Sequence, residues 1–296
     1  MQGFFINTRK EIFKDRIVRK ALNYAFDFEW TNKILFFDQY KRTASFFSNS
    51  DLASSDLPSK EELELLDSFK NQLPNEIFNT IYENPINDGS GNVRKNLRIA
   101  DKLLYDAGWI IKDGKRINKE TGIPLKFRIL LVSPEFERIA LPYARNLKKI
   151  GIEAKVRTVD SAQYERRLES FSFDMTVISL GQSLSPGNEQ RDFWNSTSAT
   201  INGSRNYAGV SSPAVDFLID KIIAAKNRED LISATKALDR LLLFGYYVVP
   251  HWHIQNFRIA YWDKFGQPKI KPKYDLGIDT WWYDSEKVKL LETVIK

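Results

Sequence analysis

The chain has 296 residues, 43% of them hydrophobic and 28% charged, which is enough apolar material for one large or two ordinary domains. Its 44 basic and 38 acidic side chains give a formal net charge of +6, but they are interspersed rather than blocked, which argues against a nucleic-acid partner. The absence of cysteine excludes disulfides, thiolate zinc sites and cysteine nucleophiles, and every apolar run falls far short of the ~20 residues that span a bilayer.

The start, "MQGFFINTRKEIFKDR", has no basic region followed by an apolar one, so no export signal is read in the chain as given. In "EIFKDRIVRKALNYAFDFEWTNKILF" the residues Val18, Ala21, Leu22 and Ala25 follow helical spacing, with Arg16, Arg19 and Lys20 outside that stripe. A Ser-rich loop follows. Ser59 then caps a helix, with Glu62 completing a capping box and Leu63, Leu66 and Phe69 on the apolar face. "ENPINDGSGN" is a turn-rich break, and "VRKNLRIADKLLYDAGW" is a helix closed by Gly108. Asp113-Gly114 sits between β-prone residues and predicts a hairpin.

The middle of the chain is more orderly. Leu125, Phe127, Ile129 and Leu131 alternate as a strand, and Ser133-Pro134 opens a helix that Gly151 ends and that Pro142 should kink or restart. Ile152, Ala154 and Val156 form a second strand, "SAQYERRLES" a short helix, and "FDMTVISL" a third strand. This βαβαβ order predicts parallel strands with helices covering the sheet. Two helices follow the next polar stretch, with faces at Val215, Leu218, Ile219 and Ile222, and at Leu231, Ala234, Leu238 and Leu241. "YYVVPHWHIQNFRIAYW" returns to strand chemistry. The irregular last 45 residues hold Trp252, Trp262, Trp281 and Trp282, four of the seven tryptophans, which calls for a packing partner.

Few motifs carry reaction chemistry. His251 and His253 are the only histidines, and on one strand both would face one side, but no carboxylate lies at useful spacing to complete a metal site. No phosphate-cradling glycine loop occurs, and "NDGSGN" lacks the carboxylates of a calcium loop. The loop "GQSLSPGNEQRDFWNS" stands out because ligands of open α/β sheets bind outside the carboxyl ends of parallel strands, where this reading puts residues 181–195. Glu189 and Asp192 within it allow a second reading, a hydrolase with a carboxylate pair.

Several stretches together resemble the extracellular solute-binding proteins of ABC importers, the peptide-binding family 5, and within it the YejA-like branch. They are "GFFINTRKEIFKDRIVRKALNYAFDFEW", "LLYDAGW" with "KDGKRINKETGIPLKFRILL", "NLKKIGIEAKVRTVDSAQYERRL", "GQSLSPGNEQRDFW" and "YYVVPHWHIQNFRIAYWDKFG". The resemblance implies a periplasmic-binding-protein-like α/β fold (type II, cluster C), with a mixed sheet flanked by helices. It implies that residues 1–245 are the second lobe and residues 246–296 a return segment to a first lobe that would precede this sequence. It also implies a periplasmic protein that closes on an oligopeptide or peptide-like ligand and delivers it to an ABC permease in the inner membrane. No catalytic residue, metal or cofactor is expected; a decayed product that no longer binds is the remaining alternative.

The ligand-binding candidates are Gln182, Ser183, Asn188, Glu189 and Arg191, followed by Ser48, Asn49, Arg205 and Asn206. Related peptide binders carry an aspartate that pairs with the peptide's amino terminus; aligning the loop proline with Pro186 puts Gln182 at that position. A neutral amide there gives no charge-assisted pairing.

Overall fold

The computed structural model describes every residue but Tyr274 and Lys296, and every remaining side chain but those of Glu292, Val294 and Ile295. The chain divides into two compact units, Met1–His253 and Ile254–Lys296. In the first unit the elements run β1 (Gln2–Ile6), α1 (Arg16–Tyr24), α2 (Phe28–Phe36), β2 (Lys41–Arg42), α3 (Lys60–Leu66), α4 (Glu76–Asn79) and α5 (Arg94–Asp106). They continue with β3 (Trp109–Lys112), β4 (Lys115–Asn118), β5 (Lys126–Leu131), α6 (Glu137–Lys149), β6 (Glu153–Thr158), α7 (Ser161–Glu169) and β7 (Met175–Ser179). α8 (Glu189–Trp194), α9 (Pro213–Ile223), α10 (Arg228–Phe244), β8 (Val248–Pro250) and β9 (Trp252–His253) complete the unit.

A five-stranded sheet in the order β6-β5-β7-β1-β8 forms the middle layer. β5 pairs in parallel with β6 and β7, as the βαβαβ pattern predicts, while β1 runs antiparallel to both β7 and β8. The sheet is therefore mixed. Gly3 is required where β1 meets β8, because a Cβ there would lie 2.2 Å from the Val248 side chain. Each face has its own core. Phe4, Ile6, Phe127, Ile129, Leu131 and Val249 face the layer of α1, α5 and α6, whereas Phe5, Leu130, Ile178 and Val248 face α7, α9 and α10. Burial of both faces explains why apolar residues occur in and out of phase along β5.

Local signals account for most boundaries. Asp15, Asp27, Ser59, Asp160 and Asn227 accept backbone N–H bonds at helix starts, with the full capping box at Ser59 and Glu62. The Asp113-Gly114 turn has both residues at positive φ, +50° and +72°, as a two-residue hairpin needs.

Several expectations need correction. The first helical pattern is two helices, because Asp27 caps a new one. Arg19 is buried, donating to the carbonyls of Phe13, Lys14 and Gly245. Leu63 is exposed. α6 runs on through Pro142 from a 3-10 turn opened by Ser133, with no restart. The late strand is short: β8 stops at Pro250, β9 pairs instead with β2, and no strand occupies Ile254–Lys264.

The second unit pairs β10 (Phe265–Gly266) antiparallel with β11 (Trp282–Tyr283), followed by α11 (Ser285–Ile295). Tyr261, Phe265 and Trp281 form an aromatic cluster, while Trp262 and Trp282 are largely exposed. No described helix is long and apolar enough to cross a membrane.

Candidate functional site at the carboxyl ends of the parallel strands

The carboxyl ends of β5 and β7 open on a hollow of about 300 Å³. Val132, Tyr164, Leu180, Gly181, Arg205 and Tyr207 are among its lining residues. The Tyr164 hydroxyl is 2.7 Å from the Val177 carbonyl and 3.0 Å from Thr176 Oγ1, which ties α7 to β7. Burial pushes the Tyr164 and Tyr207 hydroxyls above their usual range, so both stay protonated. Arg205 stacks over Phe193, 4.7 Å from the ring centroid, and its Nε donates to Asp192 Oδ2 at 2.9 Å.

The loop between β7 and α8 folds on its own amides. Gln190, fully buried, donates its Nε2 to Gln182 Oε1 at 2.7 Å and to Glu189 Oε1 at 3.2 Å. The same Glu189 oxygen accepts from the Gly187 N–H at 2.9 Å, and Ser183 Oγ accepts from the Ser185 N–H at 3.0 Å. Gln182 is held in this network by its oxygen, and its Nε2 is buried with no protein partner. Residues 189–194, read from sequence as polar loop, form α8. Asn188 stands exposed at its start and lines a second hollow of about 440 Å³ with Ser185, Gly187, Asn227 and Arg228.

A second loop stands beside the first. Ser48 Oγ donates to the Ser45 carbonyl at 2.9 Å, and Asn49 takes a left-handed backbone, φ +66°. The loop winds around the buried Asp239 carboxylate, which accepts from Ser45 Oγ, the Phe46 N–H and the Ser54 N–H at 2.7, 2.8 and 2.9 Å. Burial raises the Asp239 pKa to about 6. Arg228 joins the two loops, bonding Asp51 by Nη2 and Nε and the Leu184 carbonyl by Nη1. Nothing in the sequence marked Arg228, which reads as an ordinary arginine behind the Asn227 cap; only the fold shows its two distant partners.

The structure thus brings Gln182, Ser183 and Asn188 into one loop, with Glu189 at the first position of α8, and sets Ser48 and Asn49 in the loop that Arg228 ties to it. Arg205 lines the first hollow. Arg191 points elsewhere and pairs with Asp220 of α9 at 2.8 Å. Asn206 is fully buried, its amide spent on Asn195 O, Val210 O and the Val210 N–H, so its place is structural. Glu189 and Asp192 both have protein donors on their carboxylates.

The two histidines part company. His251 lies between β8 and β9, fully buried against Phe4 and stacked on Trp252 and Phe136, with neither ring nitrogen partnered. His253 is half-buried, its Nδ1 3.1 Å from Thr43 Oγ1. Among the described residues no group of three or more His, Asp or Glu side chains is placed to hold a metal ion.

A family profile for bacterial extracellular solute-binding proteins, family 5 (middle portion), matches residues 1–202. The uncharacterized protein y4wM of Sinorhizobium fredii is 52% identical over 286 residues, covering 96% of this chain and 43% of the relative. The probable peptide-binding protein YejA of Agrobacterium fabrum is 47% identical over 283 residues, covering 95% of this chain and 46% of the relative. Among solved structures, the oligopeptide-binding protein AppA of Bacillus subtilis in complex with a nonapeptide superposes with a TM-score of 0.67 at 21% identity, over 95% of this chain and 50% of that one. The chain spans about half the length of the curated relatives it matches. The mixed sheet flanked by helices is the periplasmic-binding-protein-like fold that the resemblance implies, and the chain belongs to family 5 of the bacterial extracellular solute-binding proteins.

Proposed function

We propose that this chain supplies one wall of the ligand cleft of a periplasmic substrate-binding component of an ABC importer, and that the ligand is an oligopeptide or peptide-like compound. The facing wall comes from the part of the family's length that this chain does not span. Ligand capture between the two walls, with hinge closure, signals loading to the permease. The reading is binding without turnover.

One observation carries the assignment of the wall. The loop that opens at Gly181 and holds Gln182, at the carboxyl end of the parallel strands, borders a hollow of about 300 Å³. That is the address at which ligands of open α/β sheets bind. Ser183 and Asn188 in that loop add uncharged polar groups, and Arg205 borders the hollow, where a guanidinium fits a carboxylate. The 47% identical relative named as a probable peptide-binding protein supports the ligand class.

Calorimetric titration tests it. Tri- to pentapeptides of mixed sequence are titrated into the two-lobed protein of full family length and into this chain alone. Binding to the former and little to the latter is expected, with no peptide cleavage in either. Equal affinity in both, or turnover lost on substituting Glu189 or Asp192, overturns the proposal.

A further inference from the structure

Against the face of the sheet that α7 covers lies a smaller hollow, of about 140 Å³, which shares no lining residue with the hollow at Gly181 and Arg205. This is well under the ~300 Å³ at which pockets begin to hold drug-sized ligands, so the space suits one small ion. Four cations reach it from four different elements: Lys10 after β1, Arg128 of β5, Arg157 of β6 and Arg167 of α7.

Strand register explains the convergence. Leu130 pairs with Arg157 across β5 and β6, and paired residues share a face, as do Arg128 and Leu130 two positions apart. Arg128 and Arg157 therefore flank the buried Leu130 on the face that α7 covers. From α7, Arg167 donates Nη1 to the Ser172 carbonyl at 3.2 Å, while its Nε is buried without a partner. The opposite wall is fixed: Asn7 Nδ2 donates to the Phe171 and Phe173 carbonyls at 3.0 and 2.8 Å, and the Asn7 N–H donates to the Asp174 carbonyl at 2.9 Å.

The charges do not balance. Asp174 is the one acidic residue of the lining; its Oδ2 accepts the Arg128 N–H at 2.9 Å, and Lys10 Nζ stands 3.7 Å from its Oδ1. The guanidinium groups of Arg128 and Arg157 have no carboxylate within ion-pair distance among the described residues. Charged residues on an edge strand ordinarily guard against pairing with another sheet, and β6 is an edge. That accounts for Lys155 and Arg157. It does not account for Lys10 and Arg167, which belong to other elements.

We propose that this hollow binds a small tetrahedral oxyanion, phosphate or sulfate, between Lys10, Arg128, Arg157 and Arg167. Three guanidinium forks and an ammonium arriving from different elements offer more donors than the two oxygens of a flat carboxylate can take up. The site is separate from the proposed peptide cleft and does not depend on it.

Calorimetry and thermal melting of this chain at about pH 7.5, where phosphate is mostly dianionic, test the proposal. Sodium phosphate and sodium sulfate are compared with sodium chloride at matched ionic strength. Saturable one-to-one binding of phosphate or sulfate is expected, and R128Q and R157Q, made singly and together, weaken it at least about tenfold, the size of one lost charge-assisted bond. K102Q, on the exposed side of α5, leaves it unchanged. Absence of saturable heat, stabilisation that follows ionic strength alone, or unchanged affinity in the folded single variants overturns the proposal. So does binding to phosphatidylglycerol vesicles that needs Arg128 and Arg157 while free phosphate and sulfate do not bind.

Discussion

Arg228 and Asp51 form a two-pronged ion pair, Nη2 to Oδ1 at 2.5 Å and Nε to Oδ2 at 3.3 Å, and the same guanidinium holds the Leu184 carbonyl. Both side chains are about half exposed, so the pair is worth under about 1 kcal/mol to global stability. Its effect is local, since it fixes the position of one candidate loop against the other. Arg228→Gln is expected to leave the melting temperature nearly unchanged and to weaken peptide binding by the two-lobed protein about tenfold, or about 1.4 kcal/mol. Arg191→Gln, which frees only Asp220 on α9, should change affinity less than about twofold. Calorimetric titration of the two variants side by side checks both outcomes.

Asp239 gives a pH-dependent prediction for the other loop. Its pKa is raised to about 6, so between about pH 4 and 6 the folded state holds more protons than the unfolded one. The contribution of this group is complete below about pH 4 and is lost as pH rises through 6. Asp239→Asn does not titrate, so it lacks this pH dependence, while an amide oxygen remains to accept from the Ser45, Phe46 and Ser54 donors. The stability difference, parent minus variant, should therefore fall by on the order of 3 kcal/mol between pH 4 and pH 7. Urea denaturation at both pH values measures it; a difference that rises with pH contradicts the assignment.

His251 works in the opposite direction. Burial, reinforced by the Arg42 charge, depresses its pKa to about 3. Between about 3 and 6.5 the unfolded chain carries the extra proton, so stability is complete above about pH 6.5 and is lost as pH falls towards 3. His251→Phe removes that loss. Because neither ring nitrogen is partnered and the ring packs among aromatics, the change should cost less than about 1.5 kcal/mol at neutral pH and improve acid resistance. Denaturation midpoints at pH 4 and 7.5 decide the matter.

Arg240 and Glu62 are both almost fully buried, with Nε 3.4 Å from Oε2, and Arg240 also donates to the Asp56 and Thr80 carbonyls. Removing one member of such a pair strands the other charge. Glu62→Ala should cost about 3–5 kcal/mol, far more than the loss of its capping role alone, which is about 1 kcal/mol. A capping-only variant, Ser59→Ala, gives the comparison by chemical denaturation.

These pairs also show which features were legible in sequence. The capping box at Ser59 and Glu62 is a three-residue signal and was readable; the bond from Glu62 to Arg240 spans 178 positions and was not. The parallel core β6-β5-β7 followed from alternation at Phe127, Ile129 and Leu131 and from the two crossover helices. β1 was not anticipated, because "QGFFI" is too short and too uniformly apolar to show a period. At the candidate site, the address of Gln182 and Ser183 came from the sequence. The burial of Asn206 and the bridging by Arg228 depend on chain crossings that no local pattern encodes.

The placement of β1 has a consequence for biosynthesis. Its partners are Met175–Ser179 on one side and Val248–Pro250 on the other, so a strand made at the start of this sequence waits for segments made much later. During translation the parallel trio can assemble first, while Phe4 and Phe5 stay unshielded until the region around β8 is available. Long-range closure of this kind slows folding and prolongs exposure of apolar chain. The last strand of the sheet to be synthesised, β8, thus acts as a latch that closes the sheet only when almost the whole of the first unit has been made.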